Sequence, residues 1–354
     1  MKKKIAIRTD GGQSVGMGHV MRCLSLAKEL RKNNYKVIFI SKYKEGIEKI
    51  KSENFEVIKL TYNDEINDDG FNYGDKSKLS DEKKKIQEII NKYSIKMLII
   101  DSYNVTKEYF LSLKDKVEKL IYIDDINKFI YPVDVLINGN ITGKYMGYEK
   151  YTEDELMLLG LKYNMIRDEF KNLSERNINK NIKEVMITTG GSDPYGVSIK
   201  ILEILLSENE FKNIGYNLVI GKGFSDDTKN KLYRLSKKNS KIKIYENPRS
   251  MSNIMVKSDI AISSGGSTLY ELCATGTPTL AFIYADNQEF IVKKMDELGY
   301  ITSIGNYNEI NKSNILDLIE KYNSYETRKN ISKRMSKLID GKGTERIVEK
   351  LDSI

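Results

Sequence analysis

Apolar residues along this chain fall into two kinds of run. Short, nearly continuous stretches occur at Ile5–Ile7, Tyr35–Ser41, Phe55–Leu60, Met97–Tyr103, Leu120–Asp125 and Val135–Asn138. Each is short for a helix and too uniformly apolar for a sheet with one wet face, so they predict strands of a parallel sheet covered on both sides. Between them, apolar residues recur at helical spacing over Val20–Leu30, Lys44–Lys51, Asp81–Lys92 and Lys107–Lys114. Residues 61–78, rich in Asn and Asp, read as a long loop. The pattern fades over 171–183, which reads as an interdomain linker, and restarts with a strand and glycine turn at Glu184–Ser192. A helix at Tyr195–Glu208, a strand at Asn217–Ile220, a helix at Asp226–Lys238 and a strand at Lys241–Tyr245 follow. Strands at Ile260–Ser264 and Thr279–Ile283 come next, and helices dominate after Gln288. The expected fold is α/β, with two Rossmann-like domains, 1–170 and 184–354, facing across a cleft. The ligand belongs where strand C-termini converge.

The first strand meets the first helix through Asp10-Gly11-Gly12-Gln13-Ser14-Val15-Gly16-Met17-Gly18-His19. Glycines let a backbone take positive φ and approach a ligand closely. The helix start offers unpaired amides and a positive dipole end to an anion. A tight turn needs fewer glycines than the four here, although a tight turn beside a half-buried histidine is the plainer reading. His19 is the single histidine of the chain, and imidazole titrates near neutrality. Strand-end loops are where catalytic bases concentrate, so His19 is the candidate general base. Arg22, three residues into the helix, can face an anionic ligand or pair with a carboxylate.

A second glycine turn, Ser264-Gly265-Gly266-Ser267-Thr268, also joins a strand to a helix. Its amides, the Ser267 and Thr268 hydroxyls and the helix dipole suit a diphosphate. Glu271, within the first helical turn, is placed to accept from two ribose hydroxyls. It equally suits a helix N-terminal charge or a capping box with Thr268. The turn Gly190-Gly191-Ser192 ends another strand. After the strand at Thr279–Ile283, Asn287 and Gln288 are candidates for sugar hydroxyls, and Asp286 or Asn287 for a helix cap. Asp101 and Tyr103, at a strand end in the first half, are candidates to line the sugar pocket. The pair Asp124-Asp125 is more readily hydrogen-bonded structure than a metal site, and no metal or cofactor is expected.

Composition narrows the class. With 354 residues the chain suits two domains. The net charge of +8 comes from lysines scattered over helix faces, which argues against a nucleic-acid footprint. Two cysteines, Cys23 and Cys273, sit among apolar neighbours in expected helices and fit buried thiols in a reducing cytoplasm. One histidine and two cysteines cannot build an ordinary zinc site. No apolar stretch approaches a membrane span or a signal peptide. Oligomeric state is left open by the sequence.

Asp10–Ala27 closely resembles the opening signature of the pseudaminic-acid-pathway nucleotide-sugar hydrolase family. Leu158–Tyr163, Thr188–Pro194, Ser264–Glu271 and Ala285–Gln288 resemble its later motifs, and the likeness spans about Lys4 to Lys294. The resemblance implies a GT-B architecture, similar to that of the peptidoglycan transferase that adds GlcNAc to lipid I. It also implies removal of UDP from UDP-2,4-diacetamido-2,4,6-trideoxy-β-L-altropyranose, with His19 as the catalytic histidine and Glu271 as the ribose contact. UDP is a good leaving group, so one base acting on water suffices. Glycosidases, with poorer leaving groups, normally use two carboxylates. The expected reaction is attack at the anomeric carbon with inversion, amides of Gly265, Gly266 and Ser267 holding the departing diphosphate. Two alternatives remain. A GT-B glycosyltransferase would use the same base on a sugar hydroxyl, although no clustered Phe and Leu segment suggests a lipid-acceptor patch. A non-catalytic nucleotide-sugar sensor would have little use for His19 at the loop.

Overall fold

The computed structural model describes residues 3–12, 15–60, 79–211 and 213–354. The loop expected at 61–78 lies outside the described residues. The chain divides into two compact units, Met1–Arg167 with Lys342–Ile354, and Asp168–Gly341.

In the first unit, strands β1 (Lys4–Thr9), β2 (Lys36–Ser41), β3 (Glu56–Lys59), β4 (Met97–Asp101), β5 (Lys119–Ile123), β6 (Val135–Asn138) and β7 (Leu156–Leu159) form a parallel sheet. Their order is β3-β2-β1-β4-β5-β6-β7. Helices α1 (Gly18–Lys32), α2 (Lys44–Ser52), α3 (Leu79–Tyr93) and α4 (Lys107–Lys114) connect the earlier strands. Successive strand residues point to opposite faces, so Ile5 and Ile7 of β1 pack with one apolar core and Ala6 with the other. This is why the strands read as unbroken apolar runs. The strand order reverses between β1 and β4, where Thr9 lies beside Asp101 in register. Ligands of open α/β sheets bind at such switch points. The glycine loop leaves β1 here.

The second unit repeats the scheme with β8 (Glu184–Thr188), β9 (Gly215–Ile220), β10 (Ile242–Glu246), β11 (Ile260–Ser264), β12 (Thr279–Ile283) and β13 (Thr302–Asn306). All pair in parallel in the order β10-β9-β8-β11-β12-β13. Helices α5 (Val197–Leu206), α6 (Asp226–Lys238), α7 (Ser252–Lys257), α8 (Thr268–Ala274), α9 (Asp286–Glu297), α10 (Lys312–Asn323) and α11 (Tyr325–Met335) complete it. Its switch point lies between β8 and β11, the strands that end in the Gly190-Gly191 and Gly265-Gly266 turns.

Three features depart from the sequence expectation. Residues 171–183 are not a loose tether, because they are fastened to the second unit. Arg176 donates to the carbonyls of Met255 and Ser258 and to Thr277 Oγ1, and Arg328 donates to the carbonyls of Asn179 and Lys180. The edge strand β13 was hidden by its polar sequence, a register shift against β12 and Gly305 at φ 98°. Finally, the chain's last helix, α12 (Gly343–Asp352), returns to the first unit. Its Ile347, Val348 and Leu351 are fully buried in the same core as Val20, Leu24 and Ala27 of α1. Burial of each such side chain contributes about 1.5–3 kcal/mol relative to exposure. Among the described residues no helix is long and apolar enough to cross a membrane.

Candidate active site

The loop after β1 is held from below by charge. Asp10 Oδ2 lies 2.7 Å from Arg8 Nη2, and Asp10 Oδ1 accepts from the Lys42 amide at 2.8 Å. Arg8 in turn donates to Glu82 at 2.6 Å, where Lys42 Nζ at 2.8 Å and the Tyr109 hydroxyl at 2.9 Å also converge. Burial alone would raise the Glu82 carboxyl, but Arg8 and Lys42 bring it down to about 2. The loop glycines have separate reasons to be glycine. A Cβ on Gly11 would stand 2.6 Å from Val20 Cγ2, and Gly16 has φ 72°. Gly12 donates to the Gly16 carbonyl at 3.1 Å, closing the loop on itself. Gly18 opens α1, is exposed, and has nothing near its Cβ position. No side chain caps α1. Asp10, Gly11 and Gly12 therefore shape the loop.

His19 follows in the first turn of α1, with 11% of its side chain exposed. Its Nδ1 lies 2.6 Å from Asp101 Oδ1. Asp101 is completely buried. Burial by itself would raise its carboxyl, but the charge of Arg22 and the hydrogen bonds from Arg22 and His19 hold it well below the usual carboxylate range. An ionised carboxylate only accepts, so Nδ1 carries a proton toward Asp101, and in the neutral ring the lone pair then falls on Nε2. The Tyr103 and His19 rings meet edge to face, with centroids 4.6 Å apart at 81°.

Three expectations change here. Asp101 and Tyr103 were candidates for a sugar pocket, and Arg22 for a ligand contact. Asp101 instead takes His19, two donors from Arg22 at 2.7 and 2.6 Å, and the Cys23 thiol at 3.3 Å. Arg22 spends its remaining nitrogen on both oxygens of Asp125, at 2.8 and 2.7 Å. The Tyr103 hydroxyl donates to Asp125 at 2.7 Å, as does Asn140 Nδ2 at 2.6 Å. These contacts orient the histidine. Asp124, next to Asp125, accepts from the Tyr148 hydroxyl and from the amides of Ile126 and Asn127. The acidic pair is thus hydrogen-bonded structure.

In the second unit, Gly190 has φ 88°, and Gly191 presents its carbonyl to the amide of Gly223 at 2.9 Å. A Cβ on Gly221 would fall 2.4 Å from that carbonyl, so the two loops meet backbone to backbone. The Ser264 hydroxyl donates to the Thr189 carbonyl at 3.0 Å and ties β11 to the β8 turn; it is buried. Gly265 also differs from expectation. Its amide donates to the Phe282 carbonyl at 2.9 Å and to Gln288 Oε1 at 3.1 Å, and a Cβ there would stand 2.3 Å from Val292 Cγ2. Gly265 packs the turn against α9 and leaves no amide for phosphate. Gly266 and Ser267 are accessible: Ser267 is exposed, and a Cβ on Gly266 would meet only Gln288 Nε2, at 3.8 Å. Gln288 Oε1 also accepts from the Tyr284 amide at 3.0 Å, leaving its Nε2 as the donor toward Gly266. Neither Thr268 with Glu271 nor Asp286 or Asn287 forms the alternative caps, since α8 is entered through Ser267 and α9 through Ala285, both without a side-chain cap. Glu271 stands half-buried in the first turn of α8, Ser192 lies in the turn after β8, and Asn287 lies in the first turn of α9.

Sequence reasoning missed Asp125 and Asn140 as supports of the histidine, and Glu82 and Lys42 as anchors of its loop. The one local signal was Arg8, a charge inside an apolar strand.

Two α/β units with this connectivity define a GT-B protein. The fold matches that of MurG from Acinetobacter baumannii with TM-score 0.67 over 99% of this chain and 100% of that one, at 10% identity. Residues 185–347 match the glycosyltransferase family 28 C-terminal domain. An uncharacterized Methanocaldococcus jannaschii protein is 36% identical over 293 residues, 78% of this chain; the chain spans 55% of that relative's length. The UDP-2,4-diacetamido-2,4,6-trideoxy-β-L-altropyranose hydrolase of Campylobacter jejuni is 24% identical over 302 residues, 84% of this chain and 97% of that protein. The chain is similar to the nucleotide-sugar hydrolases that its opening motif resembles.

Proposed function

We propose that the chain hydrolyses a UDP-linked 2,4-diacetamido-2,4,6-trideoxy sugar to free sugar and UDP, in pseudaminic acid biosynthesis. The observation that carries this reading is the 2.6 Å contact between His19 Nδ1 and the buried Asp101 carboxylate. It fixes the tautomer in which Nε2 accepts a proton from water. The water oxygen forms a bond to the anomeric carbon while the bond from that carbon to the β-phosphate oxygen breaks, with inversion. UDP departs with the bonding pair, and the proton rests on His19, where Asp101 stabilises the imidazolium. The amides of Gly266 and Ser267 receive the diphosphate, and no metal takes part. Arg22, saturated by carboxylates, supplies no clamp for attack at phosphorus, which favours attack at carbon.

The family 28 match favours one competing reading, transfer of the sugar to an acceptor hydroxyl. One experiment separates them: incubation of the protein with the UDP-sugar in ¹⁸O-water and EDTA, without acceptor. Hydrolysis at carbon puts the label on the anomeric oxygen of the free sugar and none in UDP. Label in the β-phosphate, or no UDP release without an acceptor, overturns the proposal.

Glu271 is assigned to the ribose on its place in the first turn of α8, beside Gly266 and Ser267. Glu271→Ala weakens UDP binding roughly tenfold, the scale of a charge-assisted hydrogen bond, and barely affects a 2′,3′-dideoxyribose analogue. Equal losses for both ligands in calorimetry would return Glu271 to a structural role.

A further inference from the structure

The second unit carries an aromatic group that the reaction above does not use. Tyr195 follows the Gly190-Gly191-Ser192 turn, Tyr284 directly follows β12 and Tyr307 directly follows β13. The Tyr195 and Tyr307 rings are stacked, with centroids 4.3 Å apart and planes within 9°. Tyr284 stands 5.4 Å from Tyr195 and 5.6 Å from Tyr307. Even with Tyr307 against it, Tyr195 is 49% exposed.

Its position is fixed from both sides. Asp193, buried two residues before it, accepts from the amides of Val197 and Ser198 at 2.9 and 3.0 Å, and from the Tyr284 hydroxyl at 2.8 Å. Gly196, directly after Tyr195, has φ 64° and hands the chain to α5. A tyrosine held this way loses little further freedom when a ligand covers it, which favours binding. The group also belongs to the strand-end loops already assigned to the ligand. The Tyr284 amide donates to Gln288 Oε1, and the same oxygen takes the Gly265 amide. Tyr195 is therefore linked to the Gly265 turn through Tyr284 and Gln288, and Gln288 is one of the residues the sequence offers for sugar hydroxyls.

We infer that Tyr195, backed by Tyr307, is a specificity-determining contact for the sugar portion of the nucleotide-sugar, stacking on the apolar face or the acetamido methyl of an N-acylated hexose. The inference rests on the proposed function and adds the group that reads the sugar's substituents. A flat ring accepts C–H-rich surface on its face and gains more from an acetamido methyl than from a bare hydroxyl. The pyrophosphate and uridine lie outside its reach in this assignment.

The test is calorimetry with UDP and with UDP-N-acetylglucosamine, in a His19→Asn background that prevents turnover. Tyr195→Ala leaves UDP affinity unchanged and lowers affinity for UDP-N-acetylglucosamine about three- to tenfold. Tyr195→Phe keeps both affinities, and Tyr195→Leu, which keeps an apolar packing group without the ring, behaves as the alanine variant. Equal loss for both ligands in the alanine and leucine variants assigns the ring to the nucleotide or to the fold and overturns the inference. Unchanged affinity for both overturns it as well. Failure of the Tyr195-containing protein to bind UDP at all would sink the proposed function and this inference with it.

Discussion

Replacing His19 with asparagine leaves UDP affinity in place and lowers turnover by about 10²–10⁴-fold, the usual share of a positioned general base. Asparagine keeps a polar group of similar reach, so the packing of α1 on β1 survives. It has no lone-pair nitrogen able to take a proton from water. The glycine turn proposed for the diphosphate belongs to the second unit, so UDP is expected to titrate as before. Steady-state rates alongside calorimetry check both halves of the expectation. Near-normal turnover in this variant would remove the mechanism.

Asp101→Asn has an effect of similar size by a different route. The amide keeps the shape of the carboxylate but can donate to Nδ1, which places the ring proton on Nε2 and removes the base. A wrong tautomer of this kind costs about 10⁴-fold where a buried aspartate orients a catalytic histidine. The expected result is a fall of about 10³–10⁴-fold in kcat with little change in KM. Stability changes too, since Arg22 loses one of its two carboxylate partners in a buried site. The sign with pH follows from the depressed Asp101 carboxyl. Its contribution is fully present above the unfolded value of about 3.9 and is lost as pH falls below that toward the folded value. Thermal melts should therefore separate the two proteins most near neutral pH and least near pH 3. A gap that widened on acidification would contradict the assignment of Asp101 as the ionised partner.

Much of this site was legible before the fold was known, and the remainder was hidden for physical reasons. The β1 loop announced itself because its glycines and histidine are contiguous and lie between a buried strand and an amphipathic helix. The role of Asp101 did not. The contact joins residues 82 positions apart, and only the adjacency of β1 and β4 brings them together. An aspartate at a strand end looks the same in sequence whether it faces a ligand or a buried arginine. Gly265 shows the converse limit. Paired glycines signalled close backbone approach, and the approach is real, but for Gly265 the neighbour is Val292 of α9 and not a phosphate. The C-terminal helix carried a readable apolar spacing in Ile347, Val348 and Leu351. That spacing says a face is buried and is silent about which core receives it.

The return of α12 to the first unit means that the second unit is, topologically, an insertion. Residues Asp168–Gly341 form a continuous piece that holds all of its own strands, whereas the first unit is made of two pieces that flank it in the sequence. During synthesis the first unit gains α12 only after the second unit has been made. It waits with the faces of α1 and β1 incompletely covered while the second unit emerges and folds, since domains generally fold as units. The closing of one core thus depends on the other having been made, and a ribosome that stops early leaves a histidine loop without the helix that buries its supporting face.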